Sequence, residues 1–270
     1  MPNLKELYRL KEKYSNTYAS NIRKEDVKVL LESFNPSHFQ SGQERNRGGV
    51  LNKSFSFPHF KANDYIDYFY ERKKAQVVLL FIDVTAFSQK FLDKSSDELV
   101  LYLDQYYSRV IPLINKYGGE IEKIMGDGII CVFGAPFLDE DKETIHNYAY
   151  NCSKEIIRTL YGTDFSVKVA LHYGEIMYYQ NPTSEYFEYT MIGNALTQLF
   201  RLEAISEANS VNFFGTTYID GLVKDVIAGN NHTIFDTILA NWLYANAKPV
   251  ELTGVSYREL RHVRYDPDFL

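Results

Sequence analysis

Two cysteines and no long apolar run are the first constraints this 270-residue chain sets. Two thiols cannot build a disulfide framework, and Cys131 and Cys152 both stand in apolar stretches. They are expected to be buried and free, as in a cytosolic protein. No window approaches the ~20 apolar residues of a membrane span. The N-terminus lacks the apolar core of a signal peptide, so a cytoplasmic protein without membrane contact is expected. Repeats and low-complexity segments are absent too. What is abundant is core-forming material: 45% of residues are apolar and 15% aromatic.

Basic charge is scarce over most of the chain. Residues 1–75 carry 14 Lys/Arg against 9 Asp/Glu, whereas the remainder carries 15 against 26. So acidic a body is not that of a general nucleic-acid binder. A polyanionic ligand would come to it only with metal ions and a few well-placed cations.

The periodicity divides the chain at residue 75. Residues 1–74 read as a helical and loop extension: helices over 3–15 and 23–34, a loop-like stretch over 35–62, and a short helix capped by Asn63 and running to Tyr70. Residues 75–270 read as one catalytic-type domain. Gln76–Ile82 is a continuous apolar run, as in a strand covered on both faces. Ser95 and Glu98 form a capping box for a helix with Leu99, Leu103, Tyr106, Val110 and Leu113 inward and Pro112 at a bend or last turn. Glu120–Lys123 and Ile129–Phe133 flank Gly126-Asp127-Gly128, a hairpin signal. A second helix places Ile145, Ala149, Cys152, Ile156 and Leu160 on one face. Phe165–Leu171 reads as a strand, 175–192 as a hairpin bent at Asn181-Pro182, the stretch from Gly193 to about Glu207 as a helix, and Val255–Val263 as a strand. This order suits an α+β sandwich with a mostly antiparallel sheet and helices against one face.

Two aspartates stand where the chain must turn. Asp83 ends the first apolar run, and Asp127 occupies the tip of the hairpin. If their strands are neighbours, they can hold the divalent ions that neutralise a nucleoside triphosphate. Two such ions ~3.5–4 Å apart can stabilise both the attacking and the leaving oxygen.

Around them, FIDVTAFS, GGEIEKIMGDGIICVFGAP and YTMIGNALTQLFRLEAIS follow one another in the order and spacing of a class III nucleotide cyclase catalytic domain, which the chain resembles over about residues 75–260. The resemblance implies a ferredoxin-like α+β fold and a homodimer with shared active sites. It also implies two Mg²⁺ or Mn²⁺ ions and conversion of a nucleoside triphosphate to a 3′,5′-cyclic monophosphate and pyrophosphate. Asp83 and Asp127 match the family's metal-binding aspartates, with the carbonyl of Val84 as a further ligand. Phe87 and Ala86 stand at the phosphate-loop positions, where the family usually has Phe and Gly. Arg201 matches the arginine that stabilises charge on the reacting phosphoryl group. Thr197 stands where the ribose-orienting residue is usually Asn. Lys123 and Thr190 match the base-selecting pair, a combination found among bacterial adenylate cyclases and compatible with a pyrimidine. One chain would supply the aspartates and its partner the base-contacting pair and the arginine, so a monomer is expected to be inactive. The family's late phosphate-binding lysine has no clear counterpart: Thr253-Gly254 replaces Lys-Gly, and Lys248 is the candidate substitute.

The compact layout and the aromatic neighbourhood of Phe81, Phe87, Tyr173, Tyr178 and Tyr179 resemble the stand-alone pyrimidine cyclases of bacterial Pycsar antiphage systems. That likeness implies UTP, then CTP, as substrate, and a separate effector activated by the cyclic nucleotide. An ordinary adenylate cyclase and an inactive cyclase-like nucleotide-binding module are the alternatives.

Overall fold

The computed structural model describes residues 67–180, 189–228 and 241–268. The expected helices 3–15 and 23–34, the stretch 35–62, the Asn63 cap and the Asn181-Pro182 bend lie outside the described residues. Of the short helix ending at Tyr70, residues 67–70 are described and helical.

The elements in chain order are β1 (Lys74–Val84), α1 (Phe87–Lys90), α2 (Ser96–Lys116), β2 (Glu120–Met125), β3 (Gly128–Phe133), α3 (Lys142–Leu160) and β4 (Val167–Gln180). Then come β5 (Tyr189–Ile192), α4 (Asn194–Ala204), β6 (Ser210–Phe214), α5 (Tyr218–Ile227), β7 (Trp242–Tyr244), β8 (Lys248–Pro249) and β9 (Glu259–Tyr265). One sheet runs β2-β3-β1-β4-β6-β9-β7, with β5 on β4 and β8 on β9. Every described ladder is antiparallel except β4–β6.

The helices cover both faces of the sheet, not one. Alternate residues of β1 enter two separate cores. Val78, Leu80 and Ile82 pack with Tyr106 of α2, Ile156 of α3 and Leu222 of α5. Val77, Leu79 and Phe81 pack with Leu199 and Leu202 of α4, and with Phe69 and Tyr178. The uninterrupted apolar run of β1 follows from this: a strand at the centre of a three-layer arrangement has no solvent side to make polar. Each such fully buried side chain contributes about 1.5–3 kcal/mol of burial.

The Ser95 side chain accepts from the Glu98 amide and Glu98 returns a bond to Ser95, so α2 begins with the expected capping box. Its buried stripe is Tyr102, Tyr106, Val110, Ile111 and Ile114. Leu99, Leu103 and Leu113 lie only half buried at its margin, because the helix is rotated from the expected face. Pro112 sits inside α2, near its end. In α3 the expected inward residues Ile145, Ala149, Cys152, Ile156 and Leu160 are all buried. Both cysteines are buried and free.

β4 does not stop at Leu171 but continues through Gly174 as one strand to Gln180, returning as β5. Gly174 marks a close approach instead of a turn. A Cβ there would stand 2.8 Å from the Cβ of Ala195, so glycine lets α4 settle on the strand. The Gln198 side chain, 2.8 Å from the ring of buried His172, fixes α4 on the same strand. α4 ends at Ala204 and the last strand spans Glu259–Tyr265, both displaced from their sequence-based bounds.

Candidate active site

The two aspartates meet. Asp83 is the penultimate residue of β1, pairing across the ladder with Lys168 of β4. β3 lies on the other side of β1, with Ile129 opposite Ile82. The loop joining β2 to β3 therefore falls beside Asp83 and Val84. That loop is only Gly126-Asp127, because Met125 pairs directly with Gly128. Its first position has φ +63°, which glycine adopts without penalty. The Tyr107 hydroxyl of α2 donates to the Gly126 carbonyl and pins the tip. The Asp127 carboxylate lies close enough to the Asp83 carboxyl and the Val84 amide for both to act on its proton affinity.

Burial and like charge act together on this pair. Burial, followed by the charges of Asp127 and Glu203, pushes Asp83 up to about 6. Burial also raises Asp127. Lys168 relieves them only in part. Its ammonium is 3.5 Å from Asp83 but 2.7 Å from Glu203, to which it is chiefly bound. Two half-buried carboxylates that must share a proton or a cation suit a hard divalent ion. No group of three or more His, Cys, Asp or Glu placed to hold a metal ion occurs among the described residues. Any further ligands would thus be carbonyl, water or phosphate oxygens, the usual complement of Mg²⁺.

The turn after β1 leads into the phosphate-loop positions. Ala86 is left-handed, φ 58° and ψ 32°, a conformation that costs a non-glycine residue about 1–2 kcal/mol. The Phe87 ring packs with Phe91 and Tyr102, at 4.8 and 5.8 Å between centroids. Its side chain anchors the loop, so only backbone amides at 86–87 are free to meet an anion.

Thr190 is tied to the strand that carries Lys123 through a residue the sequence reading passed over. The β2–β3 register shifts between Ile121 and Lys123, making Glu122 the extra residue of a bulge. Glu122 is buried, accepts the Thr190 hydroxyl at 2.9 Å and the Met191 amide at 3.3 Å, and is raised by burial. Lys123, its neighbour, is half buried.

Thr197 and Arg201 lie one turn apart on the exposed face of α4, while Ala195, Leu199 and Leu202 face inward. Arg201 makes no ion pair among the described residues. Phe200 and Ile192 beside them are exposed apolar side chains.

One expectation needs correction. The five aromatics do not converge on one pocket: Phe81 and Tyr178 belong to the α4 side, whereas Phe87 and Tyr173 pack on the α2–α3 side. The strand alternation separates them, which sequence proximity conceals. Lys248 is ion-paired with Glu207, and Thr253-Gly254 forms an exposed turn. Lys168 and Glu203 were also missed. The signal for Lys168, a lone lysine between buried valines, becomes readable only once its register opposite Asp83 is known.

The adenylate and guanylate cyclase catalytic domain family matches residues 69–224, more than half of the chain. An uncharacterized protein of Mycobacterium tuberculosis is 24% identical over 131 residues, which are 48% of this chain and 23% of that protein. Adenylate cyclase type 10 of Rattus norvegicus is 27% identical over 150 residues, 50% of this chain and 9% of the relative. The chain thus spans between 9% and 27% of the length of the curated relatives it matches. Among solved structures, the adenylyl cyclase CyaB from P. aeruginosa superposes with a TM-score of 0.55 at 20% identity, covering 73% of this chain and 98% of the other. The catalytic core of a rhodopsin-guanylyl cyclase in complex with ATPalphaS gives 0.55 at 17%, covering 72% and 97%. These structures share the mixed α+β fold of class III cyclases. With the family match extending from Phe69 to Lys224, across both aspartates, the hairpin and α4, the chain belongs to the adenylate and guanylate cyclase catalytic-domain family.

Proposed function

We propose that this chain is a metal-dependent nucleotide cyclase that converts a pyrimidine nucleoside triphosphate, UTP before CTP, to its 3′,5′-cyclic monophosphate and pyrophosphate. The observation that carries the reading is the meeting of Asp83 and Asp127 at the end of β1, with too little positive charge beside them. Asp83, Asp127 and the Val84 carbonyl would hold Mg²⁺ or Mn²⁺. Such ions, when bound, supply charge neutralisation for the triphosphate and acidify the ribose 3′-hydroxyl. Ribose O3′ bonds to the α-phosphorus, the bond from that phosphorus to the bridging oxygen breaks, the hydroxyl proton goes to solvent, and pyrophosphate leaves.

The protein's own groups position and stabilise. Arg201 offers a guanidinium to the charge that develops on the phosphoryl oxygens. Thr197 offers one hydroxyl to the ribose. Backbone amides of Ala86 and Phe87 face the phosphates. Exposure of Thr197 and Arg201, beside exposed Ile192 and Phe200, supports a homodimer with shared sites. One chain gives Asp83 and Asp127, and its partner gives Lys123, Thr190, Thr197 and Arg201.

Base choice rests on hydrogen-bond direction. The Thr190 proton is committed to Glu122, which leaves the Thr190 oxygen as an acceptor beside the donor Lys123. The uracil edge, a carbonyl next to N3–H, answers that pair. Adenine presents the same alternation at N1 and its amino group, so ATP is the second reading. A role in antiphage defence, with the cyclic nucleotide acting on a separate effector, follows only from the resemblance drawn from the sequence.

Incubation of the purified protein with Mn²⁺ and each ribonucleoside triphosphate, with products identified by mass spectrometry, tests the reading. Cyclic UMP, with less cyclic CMP, is expected. Cyclic AMP alone would overturn the pyrimidine assignment. No product from a dimeric preparation would overturn the cyclase and favour an inactive nucleotide-binding module.

A further inference from the structure

A third carboxylate stands beside the metal-binding pair, and one ammonium bridges the two. Lys168 lies opposite Asp83 on the β1–β4 ladder. Each is flanked along its strand by residues of the α2–α3 core, Ile82 and Val84 for Asp83, Val167 and Val169 for Lys168, so both face α4. α4 runs down β4 in the opposite direction: Ala195 meets Gly174, Gln198 meets His172, and Glu203 meets Lys168. Buried Leu199 and Leu202 hold the last turn of the helix on the sheet. Packing thus sets Glu203 against Lys168.

The ammonium reaches both carboxylates, at 2.7 Å from Glu203 and 3.5 Å from Asp83. The three side chains are between 18% and 22% exposed, so water and salt screen them only in part. One positive charge is shared between Glu203 and Asp83, with Asp127 adjoining. The sharing is unequal. A lysine with Asp83 as its sole partner would be left unpaired and half buried beside a divalent ion, a costly arrangement. Glu203 removes that cost, because it keeps the ammonium paired when Asp83 is released.

We propose that Lys168 is a positioning residue for the metal-binding pair, a counter-ion that covers Asp83 before the divalent ion binds and is held aside by Glu203 afterwards. This role rests on the reading that Asp83 and Asp127 hold that ion. Glu203 is then the residue that keeps the lysine from competing for Asp83. With glutamine at 203 the ammonium loses its nearer carboxylate and settles on Asp83. Glu203 also adds its own negative charge to the corner, so its removal weakens cation binding somewhat whatever Lys168 does. A held-aside lysine differs from such a field effect in one respect: the loss depends on the presence of Lys168.

A double-mutant cycle on Mn²⁺ binding tests this without turnover. Electron paramagnetic resonance counts free Mn²⁺ over the full chain with no nucleotide present, and thermal melts check that each variant is folded. Glu203→Gln should weaken Mn²⁺ binding about tenfold, and Lys168→Gln should tighten it about threefold. In the Lys168→Gln background, Glu203→Gln should weaken binding by no more than about threefold. Lys168→Met replaces Lys168→Gln if the latter does not fold. Asp83→Asn should abolish binding. Equal losses from Glu203→Gln with and without Lys168 would overturn the proposal and leave the metal site standing. Binding unchanged in Asp83→Asn, or no binding by the wild type, would overturn it together with the metal reading.

Discussion

The carboxylate corner and the outer face of α4 are both site material, yet they are finished to different degrees. Asp83 and Asp127 are assembled entirely within one chain. A hairpin of two loop residues, a tyrosine on its tip and a lysine across the ladder all converge on them. Thr197 and Arg201 have a rigid base, since Gln198 and Ala195 lock α4 to β4, but they point outward. The difference teaches that folding alone brings together the groups for which the chain has internal neighbours. The groups on α4 have only their platform. In the proposed dimer the second region completes the first on the partner chain.

The largest expected effect comes from the finished half. Asp83→Ala or Asp127→Ala should lower the cyclisation rate by about 10³-fold or more, because each leaves a single carboxylate to hold the metal. Arg201→Ala should cost roughly 10²–10³-fold in kcat with little change in stability, since the side chain is exposed. Steady-state kinetics with thermal melts separates the two regions. A loss of stability in Arg201→Ala as large as its loss of rate would break the contrast.

Specificity should respond less. Thr190→Val keeps the shape but removes the hydroxyl that Glu122 orients, and with it the acceptor offered to the base. The preference between UTP and its nearest competitor should shift about tenfold, read as kcat/KM. An unchanged ratio would remove Thr190 from base choice.

Stability should move the opposite way from activity at the carboxylates. Asp83→Asn removes one of two mutually repelling, half-buried charges, so in EDTA it should raise the Tm by a few degrees, or about 1 kcal/mol, while abolishing turnover. Ala86→Gly relieves a left-handed alanine and should stabilise by about 1 kcal/mol at most, with activity kept. Calorimetry checks both. A destabilised Asp83→Asn protein would mean that the pair is satisfied as it stands.

Much of the corner was legible because local signals determine it. The apolar run before Asp83 is a central strand, and Gly-Asp-Gly can only be a tight turn, so both aspartates were placed by short-range chemistry. The capping box of α2 and the inward face of α3 were readable for the same reason. Non-local geometry was not. Burial on both sides of β1 implied a second helical layer, yet α4 was not assigned to it. The continuation of β4 through Gly174 was hidden because a glycine needed for helix approach looks like a turn. Lys168, Glu203 and Glu122 escaped because their roles depend on register, on a bulge and on a helix end.

The most direct test of the divided site is subunit complementation. Purified Asp83→Ala and Arg201→Ala chains, each inactive, should regain activity when mixed under conditions that exchange subunits, because each mixed dimer holds one intact site. The active fraction should follow the fraction of mixed dimers measured by native mass spectrometry. Abundant mixed dimers without activity would contradict the shared site and require each chain to complete its own.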